Sequence, residues 1–160
     1  MTIKIGDTIP SATLTTMTTD GPAPVKTEDF FKGRKVIVFF VPGAFTPTCS
    51  AKHLPGFVEK FDDIKSKGVD EVACFAVNDV FVMSAWGKAS GADGKVTMLA
   101  DGNAAFTKAL GLELDATGFG MGIRSQRFSM VVDDGKVVEL NVEEPGGFGL
   151  SSADHVLCQI

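Results

Sequence analysis

Hydrophobic residues fall in short blocks separated by glycine, proline and acidic turns along the whole chain. The block Val36-Ile37-Val38-Phe39-Phe40-Val41 is apolar at both parities. A strand with one wet face alternates, so this one is expected at the centre of a sheet, buried on both faces. Val72 to Val77 and Val96 to Ala100 repeat the pattern and predict two more buried strands. Thr-rich Ala12 to Met17 suggests an edge strand. Phe128 to Val132 and Lys136 to Val142 are joined by Asp133-Asp134-Gly135, which reads as a hairpin.

Between these strands the period changes. Leu54, Phe57, Val58, Phe61 and Ile64 recur at helical spacing, with Pro55 inside the pattern. Proline cannot donate to the carbonyl of Ala51, so a kink is expected there. Gly68 is a plausible stop. Thr27 to Phe31 predicts a short helical turn ended by Gly33. Val80 to Ser90 predicts a helix with Phe81, Val82, Ala85 and Trp86 inward, and Ala104 to Leu110 one closed by Gly111. Ser151 or Ser152 can cap a last helix presenting Val156, Leu157 and Ile160 on one face. Gly21-Pro22-Ala23-Pro24, Gly118 to Gly122 and Pro145-Gly146-Gly147 read as loops. Strands alternating with helices, then a late hairpin, imply an α/β layered fold with a mixed sheet. No internal repeat or composition break divides residues 1–160, so a single domain is expected.

Composition narrows the function classes. The 160 residues carry 15 basic and 20 acidic side chains, a formal charge of −5. That balance argues against nucleic acid, whose backbone needs clustered Lys and Arg. The six-residue apolar run is far short of the roughly 20 residues that span a bilayer, so no membrane role is expected. The N-terminus lacks the apolar stretch of a secretory signal. Cys49, Cys74 and Cys158 leave one cysteine over in any pairing. That suits a reducing, cytoplasmic compartment, where a cysteine is either a small core residue or a chemical tool.

One segment favours the second use. In Pro42-Gly43-Ala44-Phe45-Thr46-Pro47-Thr48-Cys49-Ser50 a buried strand feeds a turn, and the turn feeds a helix. Pro47 suits a helix start, and unpaired N–H groups there favour an anion at Cys49. Thr46 is one turn before the sulfur; by itself it reads equally well as a helix cap.

Pro42-x-x-x-Thr46-x-x-Cys49 resembles the active-site signature of the peroxiredoxins, and the longer string resembles their type II, or five-like, subgroup. Lys52-His53-Leu54-Pro55-Gly56-Phe57, Val77-Asn78-Asp79, Phe81-Val82-Met83-x-Ala85-Trp86-Gly87, Leu110-Gly111-Leu112-Glu113-Leu114 and Gly122-Ile123-Arg124-Ser125-x-Arg127-Phe128 extend the likeness over nearly the whole chain. The resemblance implies a thioredoxin-like fold with a central mixed sheet flanked by helices. It implies a peroxidatic cysteine at Cys49, a hydroxyl partner at Thr46, an arginine at Arg127 and a shielding proline at Pro42. Arg124 lies close by, but Arg127 holds the matching position.

The activity so implied is reduction of hydrogen peroxide and small organic hydroperoxides. Cys49 would cycle through a sulfenic acid and be regenerated by glutaredoxin with glutathione, the favoured reductant, or by thioredoxin. No metal, flavin or haem is required. A homodimer is expected, with Phe45 and Phe119 as candidate contact residues. The alternative is a peroxide sensor or relay that hands the oxidation to a partner protein.

The remaining cysteines and histidines are less telling. Cys74 reads as a core strand residue, although plant members of the subgroup carry a cysteine at a matching place that can act as resolving thiol. Some animal members place a resolving cysteine before the last helix, where this chain has Gly149-Leu150-Ser151-Ser152. Cys158 lies off the apolar face of the last helix and receives no catalytic role. Cys49, His53, His155 and Cys158 could be drawn as a zinc site, but the two pairs lie over 100 residues apart, unlike the tight spacings of structural zinc motifs. His53 falls near the active site by resemblance and is assigned no proton transfer.

Overall fold

A computed structural model describes residues 2–160. In chain order the elements are β1 (Thr13–Thr18), β2 (Gly21–Lys26), α1 (Thr27–Phe31), β3 (Lys35–Val41), a π-helical turn (Cys49–His53), α2 (Leu54–Glu59), α3 (Phe61–Ser66), β4 (Glu71–Ala76), α4 (Val80–Ala89), β5 (Val96–Ala100), α5 (Ala105–Leu110), β6 (Glu113–Asp115), β7 (Ile123–Ser125), β8 (Phe128–Asp133), β9 (Lys136–Val142) and α6 (Ala153–Gln159). Seven strands form one sheet in the order β2-β1-β5-β4-β3-β8-β9, and β6 and β7 form a separate small hairpin. The strands β3, β4 and β5 run parallel, and the outer pairings are antiparallel.

The doubly apolar β3 is central, as its pattern requires. Ile37, Phe39 and Val41 join one core with Val72, Cys74 and Ala76 of β4, Leu54 and Phe57 of α2, Met83 and Trp86 of α4, and Val156 of α6. Val36, Val38 and Phe40 face the opposite core with Ala73 and Phe75 of β4, Phe31 of α1, and Phe106 and Leu110 of α5. Phenylalanine builds much of this packing. Phe39 stacks on Phe57 at 4.1 Å between ring centroids, and Phe40 stacks on Phe128 at 4.3 Å. Such pairs add about 1 kcal/mol each beyond the area they bury.

Three expectations are corrected. Thr-rich β1, expected at an edge, lies between β2 and β5, because the proline-bearing strand β2 takes the edge instead. Gly21 to Pro24 is not a loop: it begins β2, paired antiparallel to β1. Pro22 and Pro24 share one parity on an edge strand, where a missing N–H costs no ladder bond. On α4 the buried positions are Val80, Met83, Trp86 and Gly87, whereas Phe81 and Ala85 are exposed. An apolar side chain on both sides of this helix made its inward face ambiguous by sequence. The expected kink at Pro55 takes a different form. Cys49 to His53 adopts a π-turn, with the N–H of Leu54 bonding Cys49 five residues back, and the helix breaks again at Lys60 before α3.

Candidate active site

The end of β3 delivers Val41 and Pro42 to a tight turn. Gly43 is buried here, and a Cβ on it would lie 3.2 Å from both the Arg124 guanidinium and the Thr46 methyl group. Phe45 takes a left-handed conformation, with φ of 62°, and the side chain of Asn78 accepts the N–H of Ala44 at 2.9 Å. A non-glycine residue held in that region stores backbone strain, a frequent feature of functional loops. The helix then starts at Pro47, its first bond running from the Ser50 N–H to the Thr46 carbonyl at 2.9 Å. Cys49 therefore occupies the first turn, fully buried.

Arg127 reaches the same point from the other neighbour of β3. Because β8 runs antiparallel to β3, with Phe128 opposite Phe40, the residue before β8 lands beside the end of β3. Its Nη2 donates to Cys49 Sγ at 3.0 Å. Its Nη1 bonds His53 Nδ1 at 2.7 Å, and His53 Nε2 bonds the Ser151 carbonyl at 2.9 Å. A carbonyl only accepts, so Nε2 carries the proton and Nδ1 accepts from Arg127. Burial, and then the Arg127 charge, pull the His53 pKa down to about 3. The imidazole is therefore neutral at physiological pH. The guanidinium also lies over the Phe148 ring, 5.9 Å from its centroid.

The hydroxyl of Thr46 donates to the Gly43 carbonyl at 2.7 Å, so its oxygen lone pairs remain to accept another hydrogen. Pro42 and Arg127 line a cavity of about 300 Å³ together with Thr48, Leu114, Gln126 and Pro145. The four residues singled out by sequence thus meet at one end of β3. Sequence reasoning missed Ser151, Phe148 and Glu143, which come from the far end of the chain. The Glu143 carboxylate accepts the N–H groups of Gly149, Leu150 and Ser151 and the Ser151 hydroxyl, at 2.7 to 3.2 Å. Burial pushes this carboxyl up, but the bonds from Ser151, Gly149 and Leu150 outweigh it and leave the pKa below the ordinary value. No local motif marks these residues.

All three cysteines are free thiols. Cys74 is fully buried in β4, and burial, then the neighbouring Cys49, push its pKa well above the ordinary value. Cys158 is exposed on α6. Among the described residues no cluster of three or more His, Cys, Asp or Glu side chains is placed to hold a metal.

Comparison with known proteins identifies the family. The sequence profile of the Redoxin family matches residues 4–157. Peroxiredoxin-2B of Arabidopsis thaliana is 50% identical over 156 residues, covering 97% of this chain and 96% of the relative. The chain belongs to the peroxiredoxins, within the redoxin family. It is also 48% identical to the chloroplastic peroxiredoxin-2E of the same plant, covering 97% of this chain and 68% of that one. Reduced Prx3 from Vibrio vulnificus, solved in complex with hydrogen peroxide, superposes with a TM-score of 0.95 at 52% identity, covering 98% of each chain. The type II likeness and the thioredoxin-like fold of this peroxiredoxin stand on these matches.

Proposed function

We propose that this peroxiredoxin reduces hydrogen peroxide and small organic hydroperoxides with Cys49 as the attacking thiolate. The observation that carries the reading is the 3.0 Å contact from the Arg127 guanidinium to Cys49 Sγ. The sulfur attacks the terminal oxygen of ROOH, an S–O bond forms and the O–O bond breaks. The alkoxide leaving group takes a proton and departs as an alcohol, or as water from hydrogen peroxide, and Cys49 becomes a sulfenic acid. Arg127 offers fixed N–H donors where negative charge sits before and during the transfer. Thr46 accepts the peroxide hydrogen and holds the oxygen in line for attack. Pro42 limits the access of water to the sulfur.

A thiol reductant then restores Cys49. An external thiol is expected because Cys74 is buried in the central sheet and Cys158 is exposed on α6; the resemblance to the type II subgroup favours glutaredoxin with glutathione, with thioredoxin second. Turnover of the purified protein with each system decides: activity with thioredoxin alone overturns the preference. The reading includes a homodimer, supported by Phe45 and Phe119, which are 55% and 85% exposed. Sedimentation as a monomer at micromolar concentration removes it. A cytoplasmic location accords with three free thiols, and cell fractionation tests it. In the relay alternative the same sulfenic acid is passed on to a protein thiol. Trapping of a stoichiometric mixed disulfide without multiple turnover would favour that role.

The primary test of the enzyme reading is Cys49→Ser, which abolishes peroxide consumption. Retained turnover in that variant removes Cys49 from the role.

A further inference from the structure

Arg127 must stay fully charged toward Cys49 while being held in one orientation. A carboxylate partner would hold it but would also neutralise it. In the structure its second anchor is the uncharged Nδ1 of His53, at 2.7 Å. The nearby carboxylate of Glu143 spends its lone pairs elsewhere, on three backbone N–H groups and the hydroxyl of the 149–151 loop. Among the described residues Arg127 takes part in no carboxylate ion pair. The same loop presents the Ser151 carbonyl that fixes the His53 tautomer. The ring is confined by Phe39, Phe57 and Phe148, with centroids 4.9, 5.8 and 5.2 Å away.

We infer that His53 is a positioning residue that aims Arg127 at Cys49 without cancelling its charge, and that Glu143 sets His53 by holding the Ser151 carbonyl in place. The inference rests on the peroxidase reading. It describes a chain of contacts from Glu143 through the 149–151 loop, His53 and Arg127 to the sulfur. One feature separates it from mere core packing. The imidazole uses both nitrogens, one to donate and one to accept. The two tasks can therefore be separated by amides of different length. Asn at position 53 places its oxygen near the Nδ1 position and keeps the acceptor for Arg127. Gln places its amide nitrogen near the Nε2 position and keeps the donor to Ser151.

The test is stopped-flow oxidation by hydrogen peroxide, without reductant, followed by the fluorescence of Trp86. That side chain is the sole tryptophan, and its Nε1 donates to the hydroxyl of Ser50, next to Cys49, at 3.0 Å. His53→Gln is expected to slow oxidation of Cys49 by about 10- to 100-fold, the range for a misdirected active-site group. His53→Asn recovers most of that loss although it removes as much of the ring. Glu143→Gln slows the step by roughly 3- to 10-fold, because one N–H acceptor oxygen becomes a donor. Equal rates for the Asn and Gln variants overturn the positioning role of His53, and a wild-type rate in Glu143→Gln overturns its distant arm. Nitrogen-15 NMR of the wild-type protein supplies a check that needs no variant to fold. A proton on Nε2 with Nδ1 bare is expected, and a proton on Nδ1 overturns the inference. Absence of any oxidation in the wild-type protein would instead sink the peroxidase reading itself.

Discussion

Cys49 has no exposed surface, so in the proposed reaction the sulfur depends on a few fixed neighbours and not on solvent. Arg127 supplies the charge. Replacing it with alanine leaves the sulfur without its donor, and the second-order rate with hydrogen peroxide is expected to fall by about 10²- to 10³-fold. An unchanged stopped-flow rate excludes the residue. Thr46 tests a different contribution, orientation of the peroxide. Its hydroxyl hydrogen is already committed to the Gly43 carbonyl. Thr46→Val removes the oxygen acceptor and is expected to cost about 10- to 100-fold in the same assay, while Thr46→Ser restores most of the rate. Cys74 is the contrasting thiol, held protonated by burial and placed on the central strand β4. Cys74→Ala is therefore expected to retain peroxidase turnover with an external reductant, at a stability cost of about 1–2 kcal/mol for the lost packing. A loss of turnover in that variant, with the fold intact by circular dichroism, returns Cys74 to the cycle as a resolving thiol.

At the scale of the element, the site is a product of one turn and one irregular helix. The strand β3 was legible in the sequence because six apolar residues at both parities have no other comfortable place. Pro47 as the helix start was legible for an equally local reason, since proline lacks an N–H where none is needed. The π-turn was not. Pro55 announced an interruption, but whether the helix bends, breaks or widens depends on what packs against it. Here Leu54 and Phe57 are fixed in the core, and the extra residue of the π-turn is taken up at Cys49 to His53. Substituting Pro55 with alanine restores an N–H able to bond the carbonyl of Ala51 and so favours a regular α-helix. The expected outcome is unchanged or higher thermal stability together with slower oxidation of Cys49. Faster oxidation in a melt-matched variant contradicts this account of the turn. The face of α4 and the strand character of Gly21 to Pro24 were misread for a related reason. Apolar residues surround α4, and edge prolines are acceptable only because β2 has a neighbour on one side.

At the scale of the molecule, the sheet order joins residues distant in the chain. Arg127 meets Cys49 because β8 lies beside β3 and runs against it, and Ser151 meets His53 because α6 packs on the same core face as α2. This assembly has a pH consequence. The His53 pKa falls from an ordinary 6.5 to about 3 on folding. Between those values the unfolded chain binds a proton that the folded one refuses, so stability rises with pH across that window. The His53 contribution is complete above about pH 6.5 and is lost progressively as pH falls toward 3. Urea melts should show this slope, amounting to several kcal/mol over the window, and His53→Asn should flatten it. A wild-type stability independent of pH from 6.5 to 4 contradicts the buried neutral imidazole. No helix among the described residues is long and apolar enough to cross a membrane.

By itself the chain determined its layered α/β character, its buried central strands, the placing of Cys49 at a helix start and, through the peroxiredoxin likeness, the candidate set Pro42, Thr46, Cys49 and Arg127. These are written locally, in period, in turn chemistry and in short motifs. Only the tertiary structure decided that Arg127 leans on a neutral histidine, that Glu143 and Ser151 stand behind it, and that Cys74 is sealed in the sheet. Those relations join positions as far apart as 49 and 127 or 53 and 151. Their distances are set by strand order and core packing, which no local pattern of residues records.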